Sequence, residues 1–160
     1  MTTIQPKELI RHPIHFLSLG FGSGLSPFAP GTAGTLVAVP LFYISSVYLP
    51  VFGYVIATCV ITLVGIYLCE KTTSALGVHD HPAIVWDEIA GYLITMLFIP
   101  ATLVNILIGF VFFRLFDILK PWPISVIDSR MKGGAGVMLD DVIAGLYALA
   151  LMHIFLLVTG

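Results

Sequence analysis

The fold of this chain depends on how residues 86–120, WDEIAGYLITMLFIPATLVNILIGFVFFRLFDILK, are arranged. The 25 residues between Glu88 and Arg114 carry no charge. Such a run suits either one tilted membrane helix kinked at Pro100 or two shorter helices that turn at residues 100–102. The hairpin would place all seven Lys and Arg residues on one side of a bilayer. Because basic residues gather on the cytoplasmic side of membrane proteins, the sequence favours two helices here.

Further apolar runs on both sides of this stretch predict additional membrane helices. The long uncharged run before Glu70 is divided at Leu49–Pro50, because proline disfavours helical geometry in the residue that precedes it. This division predicts one helix that begins near Gly31 and a second helix over Val51–Cys69. The run Val142–Gly160 follows two acidic residues and predicts the last span.

The composition agrees with a membrane protein, since 58% of the residues are hydrophobic and only 10% are charged. These values exclude an ordinary soluble domain and a disordered chain. We expect a single membrane-embedded domain over residues 1–160. It should be an all-α polytopic bundle of about five short helices, or of four if residues 89–113 form one span. A net charge of -2 with seven basic residues gives no reason to expect a nucleic-acid partner, and the sequence does not specify the oligomeric state.

Two acid pairs, Asp87–Glu88 and Asp140–Asp141, each precede an apolar run and a nearby glycine, Gly91 or Gly145. The glycines would allow a neighbouring backbone to approach closely. The acids could simply stabilise helix N-termini. However, charged groups at membrane depth are costly unless they are paired, hydrated or bound to a metal ion, so a functional site is the stronger interpretation.

A second charged group, Arg114, Asp117 and Lys120, recurs every three residues and would follow roughly one helix face. A salt-bridge ladder at the membrane interface is the alternative interpretation. Carboxylates near basic side chains suit a magnesium-like ion together with a phosphate group. The candidate metal ligands are Asp87, Glu88, Asp117, Asp140 and Asp141.

Two glycine-containing stretches could also contact an anion. Lys132 precedes Gly133–Gly136, and such a loop can offer backbone N–H groups and a lysine to a phosphate. The stretch Ser26–Thr35 places Thr32 and Thr35 at a predicted helix start, where anions bind. A helix-capping turn at the membrane surface explains the second stretch equally well.

Four motifs, in this order along the chain, resemble the phosphatidylglycerophosphatase A family. They are GFGSGLSPFAPGTAGTLVAVPL at 20–41, GVHDHPAIVWDEIAG at 77–91, FRLFDILKPWP at 113–123 and GGAGVMLDDVIAG at 133–145. The resemblance implies Mg²⁺-dependent hydrolysis of phosphatidylglycerophosphate to phosphatidylglycerol and phosphate in phospholipid biosynthesis. It also implies a multi-pass protein of the bacterial inner membrane with its active site on the cytoplasmic face and a phospholipid substrate from the membrane.

The simplest mechanism for such an enzyme is direct, metal-assisted attack by water. The expected catalytic residues are Asp87, Glu88, Asp117 and Asp141, which would hold Mg²⁺ or act as the general base. The expected phosphate-binding residues are Arg114, Lys120, Lys132, Thr32 and Thr35. The alternatives are another phospholipid phosphatase and a non-enzymatic membrane binding or transport protein, in which charges would line a path through the bilayer.

Overall fold

A computed structural model of the chain describes residues 5–79 and 81–159, and in these ranges the protein consists of helices and connecting turns without β-strands. One 3-10 helix, Gly20–Leu25, follows the first two short helices. The α-helices are α1 (Pro6–Leu9), α2 (Pro13–Ser18), α3 (Pro30–Tyr48), α4 (Val51–Leu76), α5 (Trp86–Thr95), α6 (Leu103–Leu119), α7 (Ile124–Arg130) and α8 (Gly133–Thr159). The predicted all-α class is confirmed.

Three of these helices, α3, α4 and α8, are long and apolar enough to span a membrane. The predicted break at Leu49–Pro50 is confirmed, because α3 ends at Tyr48 and α4 begins at Val51. Many large apolar side chains on the outer faces of the helices are exposed, as expected for surfaces that contact lipid tails rather than water.

The hairpin within residues 86–120 is also confirmed, since α5 ends at Thr95 and α6 begins at Leu103. The Thr102 side chain accepts a hydrogen bond from the Asn105 backbone N–H, which caps α6. Asn105 Nδ2 donates to the Pro100 carbonyl at 2.9 Å and closes the turn. With ten residues, α5 is about 15 Å long, so it enters the bundle without crossing a membrane by itself.

Two helix boundaries predicted from the sequence were wrong. Helix α4 continues to Leu76 instead of ending at Cys69, and α8 begins at Gly133 instead of Val142. The two extensions pack against each other, and Glu70 Oε2 accepts a hydrogen bond from the Gly134 backbone N–H. This contact satisfies a donor at the start of α8, so the helix can begin before its apolar run.

The central helix is α5, because every one of its residues is buried except Glu88, which is half-buried. Its neighbours are α3, α4, α6 and α8. The predicted close approach at Gly91 and Gly145 is confirmed: a Cβ atom at Gly145 would lie 2.5 Å from the Gly91 carbonyl oxygen. The Thr95 hydroxyl donates to that same carbonyl at 3.0 Å. Helices α5 and α8 therefore meet backbone to backbone.

We predict that Gly145→Ala destabilises the bundle by about 1–3 kcal/mol, since the added methyl group cannot be accommodated without moving α5 away from α8. Thermal unfolding in detergent measures the effect. Gly53→Ala is the matched control, because Gly53 lies at the start of α4, away from the contact between α5 and α8. A Cβ atom at Gly53 would lie 3.3 Å from its nearest neighbour, a proline ring carbon. Equal unfolding midpoints for the two variants would contradict the proposed backbone contact.

Candidate active site

One end of the bundle contains a polar cavity of about 360 Å³. It is lined by the starts of α3 and α5, the end of α6 and the third turn of α8. The charged side chains that line it are Asp87, Glu88, Arg114, Asp117, Lys120, Asp140 and Asp141. All of the predicted acidic residues and two of the three predicted basic residues therefore meet in one place, although they lie on three separate helices.

Three of the carboxylates that line the cavity lie close to one another. Asp87 and Glu88 lie in the first turn of α5, and Asp141 projects from α8. One carboxylate oxygen from each of these residues lies within 4.8 Å of the others. Asp87 and Asp141 are buried, with 6% and 3% of their surfaces exposed. Like charges held so close together require a cation or protons to offset their repulsion.

The sequence predicted that the Asp140–Asp141 pair begins the last helix, and this prediction was wrong. The pair lies two turns inside α8. The backbone N–H groups in this part of the helix bond to preceding carbonyl oxygens. The two carboxylates are consequently not needed as helix caps. At Asp87–Glu88 the prediction of a helix start is confirmed, and the N-cap residue Val85 provides no side-chain capping hydrogen bond.

Arg114 projects from α6 beside the carboxylates and forms an ion pair with Asp117 one turn further on. Within the described part of the chain, Arg114 Nε is buried and has no hydrogen-bond partner. This donor is positioned to bind an additional acceptor in the cavity. Burial of a guanidinium group is costly, so an unused donor at this depth indicates a place for an anionic ligand.

Gly31 brings the first turn of α3 against these charged groups. A Cβ atom at this position would collide with Glu88 Oε1 and lie 3.1 Å from Arg114 Nη1. The sequence predicts a helix start near Gly31 but does not predict the contacts of this glycine. Its signal is present in the sequence as a Pro-Gly pair at a predicted helix start, but the reason for a glycine there is a contact with α5 and α6, which the sequence alone does not show.

Lys120 ends α6 in a left-handed conformation, with φ 41°. Its Nζ atom contacts Asp128 Oδ1 at 2.8 Å and Asp140 Oδ2 at 2.7 Å. Although burial alone would lower the pKa of Lys120, these two carboxylates raise that pKa well above its usual value. Among the described residues, the ion pairs of Lys120 are with Asp128 and Asp140, so Lys120 does not extend the Arg114–Asp117 pair into a salt-bridge ladder along α6. Lys120 instead connects the end of α6 to α7 and α8. Asp128 is a residue that the sequence analysis did not single out.

Three predicted phosphate-binding residues do not line the cavity. Thr35 is buried within α3 and its hydroxyl donates to the Gly31 carbonyl oxygen, whereas Thr32 is half-buried on the same helix. Lys132 is exposed beyond the start of α8. A glycine loop that offers its N–H groups to phosphate is also absent there, because Gly133 donates to His79 and Gly134 donates to Glu70.

The cluster of Asp87, Glu88 and Asp141 carboxylates has the chemistry of a divalent cation site. Asp87 Oδ1 and Glu88 Oε2 are buried without hydrogen-bond partners among the described residues. Oxygen ligands with a surplus of negative charge suit Mg²⁺, which commonly binds through one or two carboxylates together with substrate phosphate. The neighbouring Arg114 guanidinium lines the same cavity and is a positive group of the kind that binds phosphate. The arrangement is thus suited to binding a metal ion and a phosphorylated ligand side by side.

Comparisons with known proteins identify the family of this chain. A family model described as Phosphatidylglycerophosphatase A matches residues 16–156. The chain is 43% identical to phosphatidylglycerophosphatase A of Escherichia coli over 143 residues, which cover 89% of this chain and 83% of that protein. It is 47% identical to the protein of the same name from Haemophilus influenzae over 151 residues, which cover 92% and 93%.

A third relative, from Bacteroides thetaiotaomicron, is provisionally named a phosphatidylinositol-3-phosphatase. It is 37% identical over 151 residues, which cover 90% of this chain and 94% of that protein. No solved structure matches the chain. The family match extends over nearly all the described helices and includes every charged residue of the cavity. The chain therefore belongs to the phosphatidylglycerophosphatase A family of enzymes.

Proposed function

We propose that this protein is a Mg²⁺-dependent lipid phosphatase that hydrolyses phosphatidylglycerophosphate to phosphatidylglycerol and inorganic phosphate. The observation that carries the proposal is the convergence of Asp87, Glu88 and Asp141 beside Arg114 in one cavity at the end of the bundle. The names of two relatives that match this chain over most of its length support this substrate.

Direct attack by water is the reaction that the cavity supports. Its described lining contains no serine, cysteine or histidine that could act as a covalent nucleophile. In the proposed reaction a water oxygen forms a bond to phosphorus, and the bond between phosphorus and the glycerol oxygen breaks. The departing alkoxide takes up a proton to become the hydroxyl of phosphatidylglycerol. One of the cavity carboxylates accepts the proton that the attacking water loses.

The charged residues divide into two proposed roles. Asp87, Glu88 and Asp141 would hold Mg²⁺, with Asp117 and Asp140 at the edge of the same group. When bound, Mg²⁺ polarises the phosphate and activates water for attack. Arg114 neutralises charge that develops on the phosphate oxygens, and its buried Nε donor is available for this contact. Lys120 orients Asp140 and contributes positive charge to the cavity rim.

We place the reaction on the cytoplasmic face of the bacterial inner membrane, as a step of phospholipid biosynthesis. The support is the distribution of charge: the hairpin returns the chain so that the end of α6 and the start of α8 lie at the same end of the bundle. Basic residues of these segments then share one side, in agreement with the positive-inside rule. A transport function has less support, because the charged groups gather at one end instead of along the spans.

Phosphate release from purified lipids tests this function. We expect the purified protein to release phosphate from phosphatidylglycerophosphate faster than from phosphatidic acid or phosphatidylinositol 3-phosphate. Chelation of divalent cations should abolish release, and added Mg²⁺ should restore it. Preference for phosphatidylinositol 3-phosphate would instead extend the provisional name of the Bacteroides relative to this chain. Full activity after chelation would refute the metal requirement.

Replacing the central acids by their amides should remove activity while preserving side-chain size. We expect Asp87→Asn and Asp141→Asn each to lower turnover about a hundredfold or more, as loss of metal or transition-state contacts does elsewhere. The measurement is phosphate release as a function of Mg²⁺ concentration. Glu8→Gln is the matched control, because Glu8 is exposed on α1 and does not line the cavity. Normal turnover and Mg²⁺ dependence in both variants would refute the carboxylate assignment.

Arg114→Gln should reduce turnover more than apparent substrate affinity, because its contact strengthens as charge develops on the phosphate. Loss of one such donor typically costs about 2.7–4 kcal/mol, or a hundredfold or more in rate. Steady-state kinetics on phosphatidylglycerophosphate separates the two effects. Arg130→Gln is the matched control, since Arg130 is exposed at the end of α7.

The same assay tests the three residues outside the cavity. If Thr32, Thr35 and Lys132 act only through local structure, then Thr32→Val, Thr35→Val and Lys132→Gln should each reduce turnover far less than Arg114→Gln. A loss comparable to that of Arg114→Gln would show that these residues reach the phosphate in the substrate complex. An unchanged turnover for folded Arg114→Gln would remove the arginine from the proposed mechanism.

A further inference from the structure

A shallow apolar groove of about 300 Å³ runs along the outer face of α6. It lies between two rows of side chains, Phe110–Arg114–Ile118 and Val111–Leu115–Leu119, each at the four-residue spacing of a helix ridge. Its outer wall is directed away from the bundle, since 59% of Val111 and 67% of Ile118 are exposed. In a bilayer this face of α6 contacts lipid tails.

The groove is continuous with the polar cavity. Arg114 and Ile118 line both, so their side chains form the boundary between an apolar surface and the charged site. Arg114 directs its guanidinium group toward Asp117 and Glu88, while its aliphatic stem contributes to the groove. The polar cavity and the apolar groove therefore meet at Arg114. A phospholipid has the same arrangement, because its phosphate headgroup is joined through glycerol to its hydrocarbon tails.

We propose that this α6 groove binds an acyl chain of the lipid substrate while its phosphate occupies the cavity. This inference rests on the proposed function and adds how the lipid tail is held and how the substrate enters. The groove from Phe110 to Leu119 is about 14 Å long at the α-helical rise, which accommodates an extended segment of one acyl chain. A lipid can reach the cavity sideways from the bilayer, so its tails need not enter water.

A lipid is favoured over a second protein chain as the occupant, because of the charge at one end of the groove. Five of its six lining residues are apolar, and the sixth is the arginine that faces the proposed phosphate site. An acyl chain with an attached phosphate complements both features. A protein helix packed against this face would cover the apolar rows but would offer no anion to Arg114.

The test compares long-chain and short-chain forms of the same lipid phosphate. Val111→Trp places a large side chain in the groove at an exposed position where the bundle core is not disturbed. Val104→Trp is the matched control on the same helix, with 58% of Val104 exposed and outside the groove. Phosphate release is measured for dioleoyl and dihexanoyl phosphatidylglycerophosphate in detergent micelles, and the oligomeric state of each variant is measured in the same detergent.

We expect Val111→Trp to lower kcat/KM for the dioleoyl lipid by about tenfold, the effect of losing burial of roughly two methylene groups. The dihexanoyl lipid should lose less than the dioleoyl lipid, and Val104→Trp should behave as the unmodified protein. Equal rates for the two variants on the dioleoyl lipid would overturn the proposal. Equal losses on both lipids, or a changed oligomeric state in Val111→Trp, would overturn it as well.

These outcomes are separable from failure of the proposed function. If the unmodified protein releases phosphate from a different phospholipid, the headgroup assignment fails, and the same long-chain and short-chain comparison is made with that lipid. The groove contacts the acyl chain, which these lipids share, so the expected difference between the two variants is unchanged. If no lipid phosphate is hydrolysed, both the proposed function and the groove assignment are rejected.

Discussion

The backbone contact between Gly91 on α5 and Gly145 on α8 determines where the charged groups of this protein meet. Without side chains at the crossing, α5 lies directly against α8, and the acids one turn before each glycine come together. The buried Asp87 and the half-buried Glu88 then lie close to Asp141. Larger residues at the crossing would separate the helices and with them the carboxylates. Packing in the core and the geometry of the site thus depend on the same two positions.

Two polar connections hold the remaining elements around this contact. Glu70 on α4 accepts a hydrogen bond from Gly134 and supports the first turn of α8. Lys120 at the end of α6 binds Asp128 and Asp140, which connects the hairpin to α7 and α8. Both connections lie at the same end of the bundle as the cavity. They stabilise helix ends beyond the apolar spans, where polar groups can still be hydrated.

Helix α6 links the two environments in which a lipid phosphatase must act. Its inner side contributes Arg114 and Asp117 to the charged cavity, whereas Val111 and Ile118 remain exposed on the face that would contact lipid. Arg114 lies about one helical turn from both Val111 and Ile118, so a single short helix borders both the proposed headgroup site and the bilayer. This arrangement gives a physical reason for placing the chemistry at the end of the hairpin instead of the middle of the membrane.

The sequence by itself determined the membrane class, the hairpin within residues 86–120 and the set of acids that converge. These properties depend on quantities that can be read along the chain, namely the length of apolar runs, the placement of basic residues and the high cost of charge in an apolar environment. The tertiary structure decided that α8 begins at Gly133, because the partner that supports its first turn is Glu70, distant in sequence.

Tertiary structure also decided which polar residues reach the cavity. Lys132 and the threonines of α3 have suitable chemistry, but side-chain direction and the hydrogen bond from Thr35 to Gly31 place them elsewhere. Gly31, in contrast, has no side-chain chemistry and contributes by allowing Glu88 and Arg114 to approach α3. The sequence specifies which groups are available, whereas the packing of α3, α5, α6 and α8 selects those that face one another, since that choice depends on contacts between distant segments.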